Sequence, residues 1–256
     1  MIPRKVVIVL LSALAWLAVV PSPVGAEWFA DLFVGPAFTQ SENVVVSQAG
    51  FKSRLKDVDF DNSVSFGGRG GYWFESTPYF GLALDVSHFR PDIGKQKATG
   101  CFSGAAAGAL GIIGCFPGTQ VFHIDLGVTG ISFDALLRWP LLTSKDFPKG
   151  QIQPYLTLGP TIFVAQAKDS RFPLSNFIPG SQSETDTSVG VKVGAGIAWQ
   201  FHQNIALFGE YRFTHFAPKF DTHNLSATDF VSIVSSPTKT DIDTHRVIFG
   251  VSLRFW

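Results

Sequence analysis

The clearest pattern in this sequence is a strict alternation of two residue classes from Thr187 to Phe201. Every second position is valine, alanine, isoleucine, tryptophan or phenylalanine, and the positions between them are mostly glycine. A period of two predicts a β-strand. Because a glycine series makes a poor water-facing surface but suits the crowded inside of a narrow barrel, the pattern favours a barrel wall. The same alternation returns from His245 to Phe255.

Six further segments show weaker versions of the alternation, and we predict a strand for each. They are Trp28–Thr39, Val64–Glu75, Tyr79–Phe89, Val121–Trp139, Ile152–Lys168 and Ile205–Phe216. Short connections such as Ser76–Pro78 and His202–Asn204 alternate with long ones such as Gln40–Ser63 and Ala217–Thr244. Short turns at one end and long loops at the other are typical of a transmembrane barrel whose chain ends lie in the periplasm. The sequence therefore predicts an all-β fold, an eight-stranded antiparallel up-and-down transmembrane β-barrel.

The first residues predict export. Arg4 and Lys5 precede an apolar run, Val6–Val20, and Val24-Gly25-Ala26 provides the small residues of a cleavage site. We predict a signal peptide over residues 1–26 and a single barrel domain over residues 27–256. An uncleaved transmembrane helix would need a longer apolar span of about 20 residues. Export combined with a lipid-facing barrel predicts the bacterial outer membrane as the location.

Tryptophan positions support one orientation of the predicted barrel. Amphipathic indole rings settle where hydrocarbon meets headgroups. In the predicted topology five tryptophans fall at strand ends on the periplasmic side and form an aromatic girdle: Trp28, Trp73, Trp139, Trp199 and Trp256. A general preference of tryptophan for strands would not predict five on one rim.

The alternation also predicts which charged residues point into the lumen, provided that no bulge shifts the register. The inward set contains five acids and six bases: Asp31, Arg69, Glu75, Asp85, Asp134, Arg138, Lys192, Glu210, Arg212, Arg246 and Arg254. Buried charges are tolerated when they are paired and hydrogen-bonded. An eight-stranded interior is just wide enough for side chains to fill. We therefore expect a lumen plugged by salt bridges.

Two segments and the C-terminus resemble known outer-membrane barrels. With Phe66-Gly67-Gly68-Arg69-Gly70-Gly71-Tyr72-Trp73-Phe74 and Glu210-Tyr211-Arg212-Phe213, the chain is similar to the small barrels of the OmpA-like and OmpX-like kind. The resemblance implies that Gly250, Leu253 and Phe255 form the signal read by the barrel-assembly machinery during insertion. The family usually ends on the aromatic residue itself, whereas here Trp256 adds one residue.

Cys101 and Cys115 lie in one long predicted loop. In an oxidising compartment two cysteines at this spacing predict a disulfide, which would contribute roughly 3 kcal/mol by the chain-entropy account. The bond would hold an exposed loop together. A sharper hypothesis is that the apolar segment between the cysteines touches the outer leaflet or a partner.

Catalytic and metal motifs are weak. The six histidines lack compact ligand spacing, and the residue two positions after each is never the serine of the His-x-Ser motif that lipid A deacylase-like barrels carry. A catalytic triad assembled from residues of different strands stays an alternative. The acidic residues from Asp57 to Asn62 lack the glycine turn and distal glutamate of a calcium loop. We expect no cofactor and no metal, and we do not expect an enzyme.

Acidic and basic residues are equal in number, so nothing argues for nucleic acid as a partner. Our leading hypothesis is a structural or surface-interaction barrel whose long loops contact an extracellular ligand. Outer-membrane lipid or lipopolysaccharide would surround the wall. The alternatives are transport of a small solute or an apolar compound, a lipid A-modifying enzyme, and a soluble lipocalin-like barrel.

Overall fold

A computed structural model describes residues 27–48, 51–109, 111–121, 125–168, 183–221, 237–239 and 241–255. The predicted signal peptide and Trp256 lie outside the described residues. Within them, no helix is long and apolar enough to cross a membrane.

Eight strands close into an antiparallel barrel. They are β1 (Glu27–Thr39), β4 (Ser63–Trp73), β5 (Phe80–Phe89), β8 (Asp125–Arg138), β9 (Ile152–Lys168), β10 (Ser183–His202), β11 (Ile205–Phe216) and β14 (Ile242–Phe255). Around the barrel their order is β1-β14-β11-β10-β9-β8-β5-β4, and β1 pairs with both β14 and β4. The predicted eight-stranded antiparallel barrel is therefore confirmed.

A second sheet of six strands rises from one end of the barrel, and we call it the extension. Its strands are β2 (Glu42–Gln48), β3 (Phe51–Val58), β6 (Gln96–Ser103), β7 (Gly114–Val121), β12 (Lys219–Asp221) and β13 (Pro237–Lys239). A short helix, α1 (Ala105–Ala109), lies between β6 and β7. The extension's order, β12-β13-β2-β3-β6-β7, follows that of the barrel strands it continues. We call the end with the extension the upper rim, and the end with Glu27 and Phe255 the lower rim.

The barrel wall separates two environments. Outward side chains are apolar and exposed, as at Leu32 and Val189, which is the surface that lipid requires. Inward positions alternate between charged, aromatic and very small residues. At Gly196 an added Cβ would lie 2.7 Å from the Tyr155 ring, so the large side chain of one strand occupies the space left by the glycine of the next.

The extension is the main feature that the sequence reading did not include. Its strands fall in the long connections Gln40–Ser63, Arg90–Gln120 and Ala217–Thr244. Strands of three to eight residues give too few alternations for a strong periodic signal. Their pairing also depends on neighbours that are distant in sequence, such as β3 with β6.

Candidate functional site

The middle of the lumen is organised around Arg69. Its Nη2 lies 2.8 Å from Asp31 Oδ2, and its Nη1 lies 2.9 Å from Glu210 Oε2. The Tyr155 hydroxyl donates to the same Glu210 oxygen at 2.8 Å. The guanidinium also lies within 5.4 Å of the centroids of the Tyr155 and Phe208 rings. Arg69 is thus neutralised and packed on several sides, as a buried cation requires.

The ion pairs continue from Glu210 across the lumen. Arg212 Nε lies 2.8 Å from Glu210, and its Nη2 lies 3.0 Å from Asp85. Lys192 Nζ lies 3.3 Å from Asp85 and 2.5 Å from Asp134. The result is one continuous chain, Asp31–Arg69–Glu210–Arg212–Asp85–Lys192–Asp134, which we call the middle ionic layer. Its residues come from β1, β4, β11, β5, β10 and β8, so they connect strands on all sides of the barrel.

A second set of ion pairs closes the lower rim. Glu27 Oε2 lies 2.5 Å from Arg138 Nη2, and its Oε1 lies 2.6 Å from Arg254 Nη1. Gln153 accepts from Arg254 at 3.0 Å, and the Arg138 guanidinium lies 4.2 Å from the Trp73 ring centroid. We call this set the lower ionic layer. It joins Glu27, the first residue of β1, to Arg254 at the end of β14. It therefore spans the pairing of the first and last strands, where the barrel closes.

Between the two ionic layers a void of about 20 Å³ remains, lined by residues of both layers. That is room for about one water molecule. The void is far too small for a hydrated solute.

An apolar layer fills the upper part of the lumen. The Phe163 and Phe216 rings stack with their centroids 4.1 Å apart, and Phe89 packs into the same cluster. Residues at the junction between the barrel and the extension join it, including Val58, Phe60 and Ile93. The lumen is therefore filled by charged residues below and mainly by apolar side chains above.

Arg246 lies at the boundary between these two parts and differs from the other lumen cations. Among the described residues, its Nη1 donates to the hydroxyls of Ser65 at 3.4 Å and Ser87 at 3.1 Å, and its guanidinium lies 5.0 Å from the centroid of the Phe89 ring. No described carboxylate forms an ion pair with it, although it is almost fully buried. It is the excess positive charge of the lumen.

The family is decided by sequence comparison. The profile of the family described as "Outer membrane protein beta-barrel domain" matches residues 12–255. This chain belongs to that family. The match and the barrel geometry place this outer-membrane barrel in the bacterial outer membrane. No curated protein matches the sequence.

The same fold is found in a solved structure of low sequence identity. The outer membrane protein OprG from Pseudomonas aeruginosa aligns with a TM-score of 0.52 and 12% identity, covering 90% of this chain and 96% of OprG. Neisserial surface protein A aligns at 0.46 and 15%, covering 92% of this chain and 100% of its own. The outer membrane protease OmpT from Escherichia coli aligns at 0.42 and 10%, covering 93% and 99%. At 12% identity the likeness to OprG concerns the fold alone.

The predicted locations of two residues in this outer-membrane barrel, Glu75 and Trp73, are wrong. Glu75 was expected in the lumen, but β4 ends at Trp73 and Glu75 lies exposed in the following turn. Trp73 was expected on the outer girdle, but it is buried in the lumen beside Arg138. The parity that points Arg69 inward also points Trp73 inward, because the two are four residues apart on one strand. Glu27, which was not predicted to face the lumen, supplies the fifth buried acid.

The remaining members of the predicted girdle lie at the lower rim. Trp139 and Trp199 are exposed on the outer wall, and Trp28 is partly exposed with its ring centroid 5.0 Å from that of Tyr72. Their role as an interfacial belt stays a prediction.

The residues of the predicted assembly signal lie in β14. Leu253 and Phe255 are exposed on the outer wall, whereas Gly250 faces the Phe208 ring, which would lie 2.5 Å from an added Cβ. Recognition of this end by the assembly machinery stays a prediction.

The disulfide between Cys101 and Cys115 is present. The two cysteines are directly opposite each other on β6 and β7. The bond therefore closes a hairpin that contains α1 and exposes Ile113 beside Phe116 near its tip.

Histidine chemistry on the outer wall is limited in the described residues. His215 Nδ1 lies 2.5 Å from Asp243 Oδ1 near the upper rim, an arrangement that can orient an imidazole as a base. Within the described part, no serine hydroxyl is bonded to this pair, and no group of three histidine, cysteine, aspartate or glutamate side chains could hold a metal ion.

Proposed function

We propose that this protein is a closed anchor in the outer membrane, and that its function is to present the extension for interaction at the cell surface. The single observation that carries the proposal is the unbroken middle ionic layer, from Asp31 to Asp134 across six strands. A lumen filled in this way does not serve as a pore, so the remaining place for recognition is the surface outside the wall.

Two further features support the proposal. The lower ionic layer and the apolar layer close the lumen again on either side of the middle layer. The extension is built as a sheet and cross-linked by a disulfide, so strand pairing and a covalent bond restrain the surface that it presents above the barrel. Rigid surfaces lose less conformational entropy on binding than mobile loops do.

The test is removal of part of the extension while the barrel is kept. Because Glu42 pairs with Val58, the segment between them can be replaced by a two-residue turn. Cells that display the intact protein should attach to cultured epithelial cells, and cells with the shortened protein should lose most of that attachment. Heat-modifiable migration on gels would verify that the shortened barrel is folded. Equal attachment by a folded shortened variant would contradict the proposal.

A transport function is the second candidate, and the apolar upper layer is the observation that favours it. Twelve buried apolar residues line or fill that part of the molecule. An apolar compound entering there would meet the ionic layers below and would have to leave sideways through the wall. Uptake of a fluorescent alkane into vesicles containing the purified barrel, above that into protein-free vesicles, would support this candidate.

A further inference from the structure

We propose that the outward face of the extension binds phosphate groups on the glycolipid headgroups of the surrounding outer leaflet. This inference rests on the proposed function, because it identifies a partner for the same surface. The residues concerned are Lys52, Arg54 and Lys56 on β3 and Lys97 on β6, which we call the basic face.

The four cations share one face of the sheet. Lys52, Arg54 and Lys56 occupy alternate positions of β3, and all three are exposed. Lys56 is opposite Thr99 on β6, and the exposed Lys97 lies two residues from Thr99. The opposite face carries Leu55 and Ala98, which pack against the apolar layer.

The positive charge of this face is not balanced by its neighbours. Strands β2, β3, β6 and β7 contain two acids, Glu42 and Asp57, and both lie at the lower end of the sheet, away from Lys52 and Arg54. No described carboxylate forms an ion pair with any of the four cations. Like charges on one strand face repel one another, and protection of a sheet edge does not explain them, because β3 lies between β2 and β6.

The position of the basic face identifies its partner. Because the extension strands follow the order of the barrel strands below them, the outward face of the extension continues the outer wall. On that wall Val64 and Phe66 of β4 are exposed and apolar, as lipid contact requires. The basic face therefore faces sideways above the lipid-facing band, beside the headgroups of the leaflet rather than toward the medium.

The spacing of the cations suits several phosphate groups at once. At about 3.3 Å per residue, Lys52 and Lys56 are separated by roughly 13 Å, with Arg54 midway. An arginine can bind a phosphate through two parallel hydrogen bonds, and lysines add point charges beside it. Cys101 is directly opposite Arg54, so the disulfide to β7 holds the neighbouring strand in place.

The experiment measures binding of purified lipopolysaccharide to the full-length barrel in neutral detergent micelles. Wild type is compared with a variant carrying Lys52→Gln, Arg54→Gln, Lys56→Gln and Lys97→Gln. Since a cation near an anionic lipid surface contributes about 1 kcal/mol, the variant should bind at least about tenfold more weakly. Wild type should lose affinity similarly for enzymatically dephosphorylated lipopolysaccharide.

Two variants with one substitution each keep the test independent of any folding defect in the fourfold variant. Arg54→Gln should weaken binding measurably, and Lys145→Gln, at an exposed position in the lower turn, should not. Equal affinity of the fourfold variant, or of dephosphorylated lipopolysaccharide, would overturn the inference. Binding of dextran sulfate without binding of lipopolysaccharide would also overturn it, since the partner would then be a polyanion in the medium. Attachment in the extension-deletion test is measured separately, so failure of the proposed function would be recognised on its own.

Discussion

The lower and upper parts of one lumen are filled in opposite ways. In the middle ionic layer seven charged side chains neutralise one another across six strands. Above it phenylalanines and aliphatic side chains dominate the packing, with the buried hydroxyls of Thr214 and Thr244 among them. Charged filling carries a large desolvation cost and works only when every partner is present, whereas apolar filling depends on volume. The same barrel should therefore respond very differently to substitution at the two levels.

The largest effect is expected from Arg212→Met. Arg212 contacts both Glu210 and Asp85, so its removal leaves two buried carboxylates short of a cation. Breaking a buried ion pair on one side costs about 3–5 kcal/mol. Urea unfolding in lipid vesicles would measure the loss of unfolding free energy. A loss under 1 kcal/mol would contradict the role of this layer; Arg54→Met, on the exposed extension, is the matched control.

In the apolar layer, Phe163→Ala should cost about 3 kcal/mol through the cavity that it leaves beside Phe216. Phe163→Leu should cost clearly less, because most of the volume is kept. The same unfolding measurement compares the two variants. Equal losses would mean that packing volume does not determine stability at this level.

Arg246 can be compared with Arg212, because both are buried arginines but only Arg212 is paired with carboxylates. Its Arg246→Met variant removes a buried cation that has no carboxylate partner, so we expect unchanged stability or a gain of about 1 kcal/mol. The opposite signs of Arg212→Met and Arg246→Met would separate pairing from burial. A loss as large as that of Arg212→Met would show that Arg246 is neutralised in the folded barrel.

The smallest effect is expected at Glu75, which lies in an exposed turn. Glu75→Gln should change the unfolding free energy by less than about 0.5 kcal/mol. Glu27→Gln is the comparison, because it weakens two ion pairs at the barrel seam. Similar values for the two variants would contradict the assignment of Glu27 to the lower ionic layer.

The barrel was predictable because each of its strands repeats the period of two many times. Parity alone placed Asp31 and Arg69 on the inner face, where they are found. The same parity gave the wrong position for Glu75, because periodicity does not show where a strand ends. Strand β4 ends at Trp73, two residues before the predicted end at Glu75. Glu27 was missed because the first strand was expected to start at Trp28.

Which lumen charges meet could not be predicted, because this depends on the stagger between strands. Arg69 and Glu210, for example, are 141 residues apart in the chain. Arg246 points into the lumen like the other predicted cations, yet it forms no ion pair with any described carboxylate. The extension was not predicted from the sequence for a related reason. Its strands are short, and their partners come from different connections.

Single-channel recording in planar bilayers tests the closed lumen most directly. The purified barrel, inserted at known density, should produce no stable conductance steps above the lipid baseline in molar salt. Arg212→Met, if it inserts, should produce unstable openings where the wild type gives none. A stable open level from the folded wild-type barrel would contradict the claim that its ionic layers close the lumen.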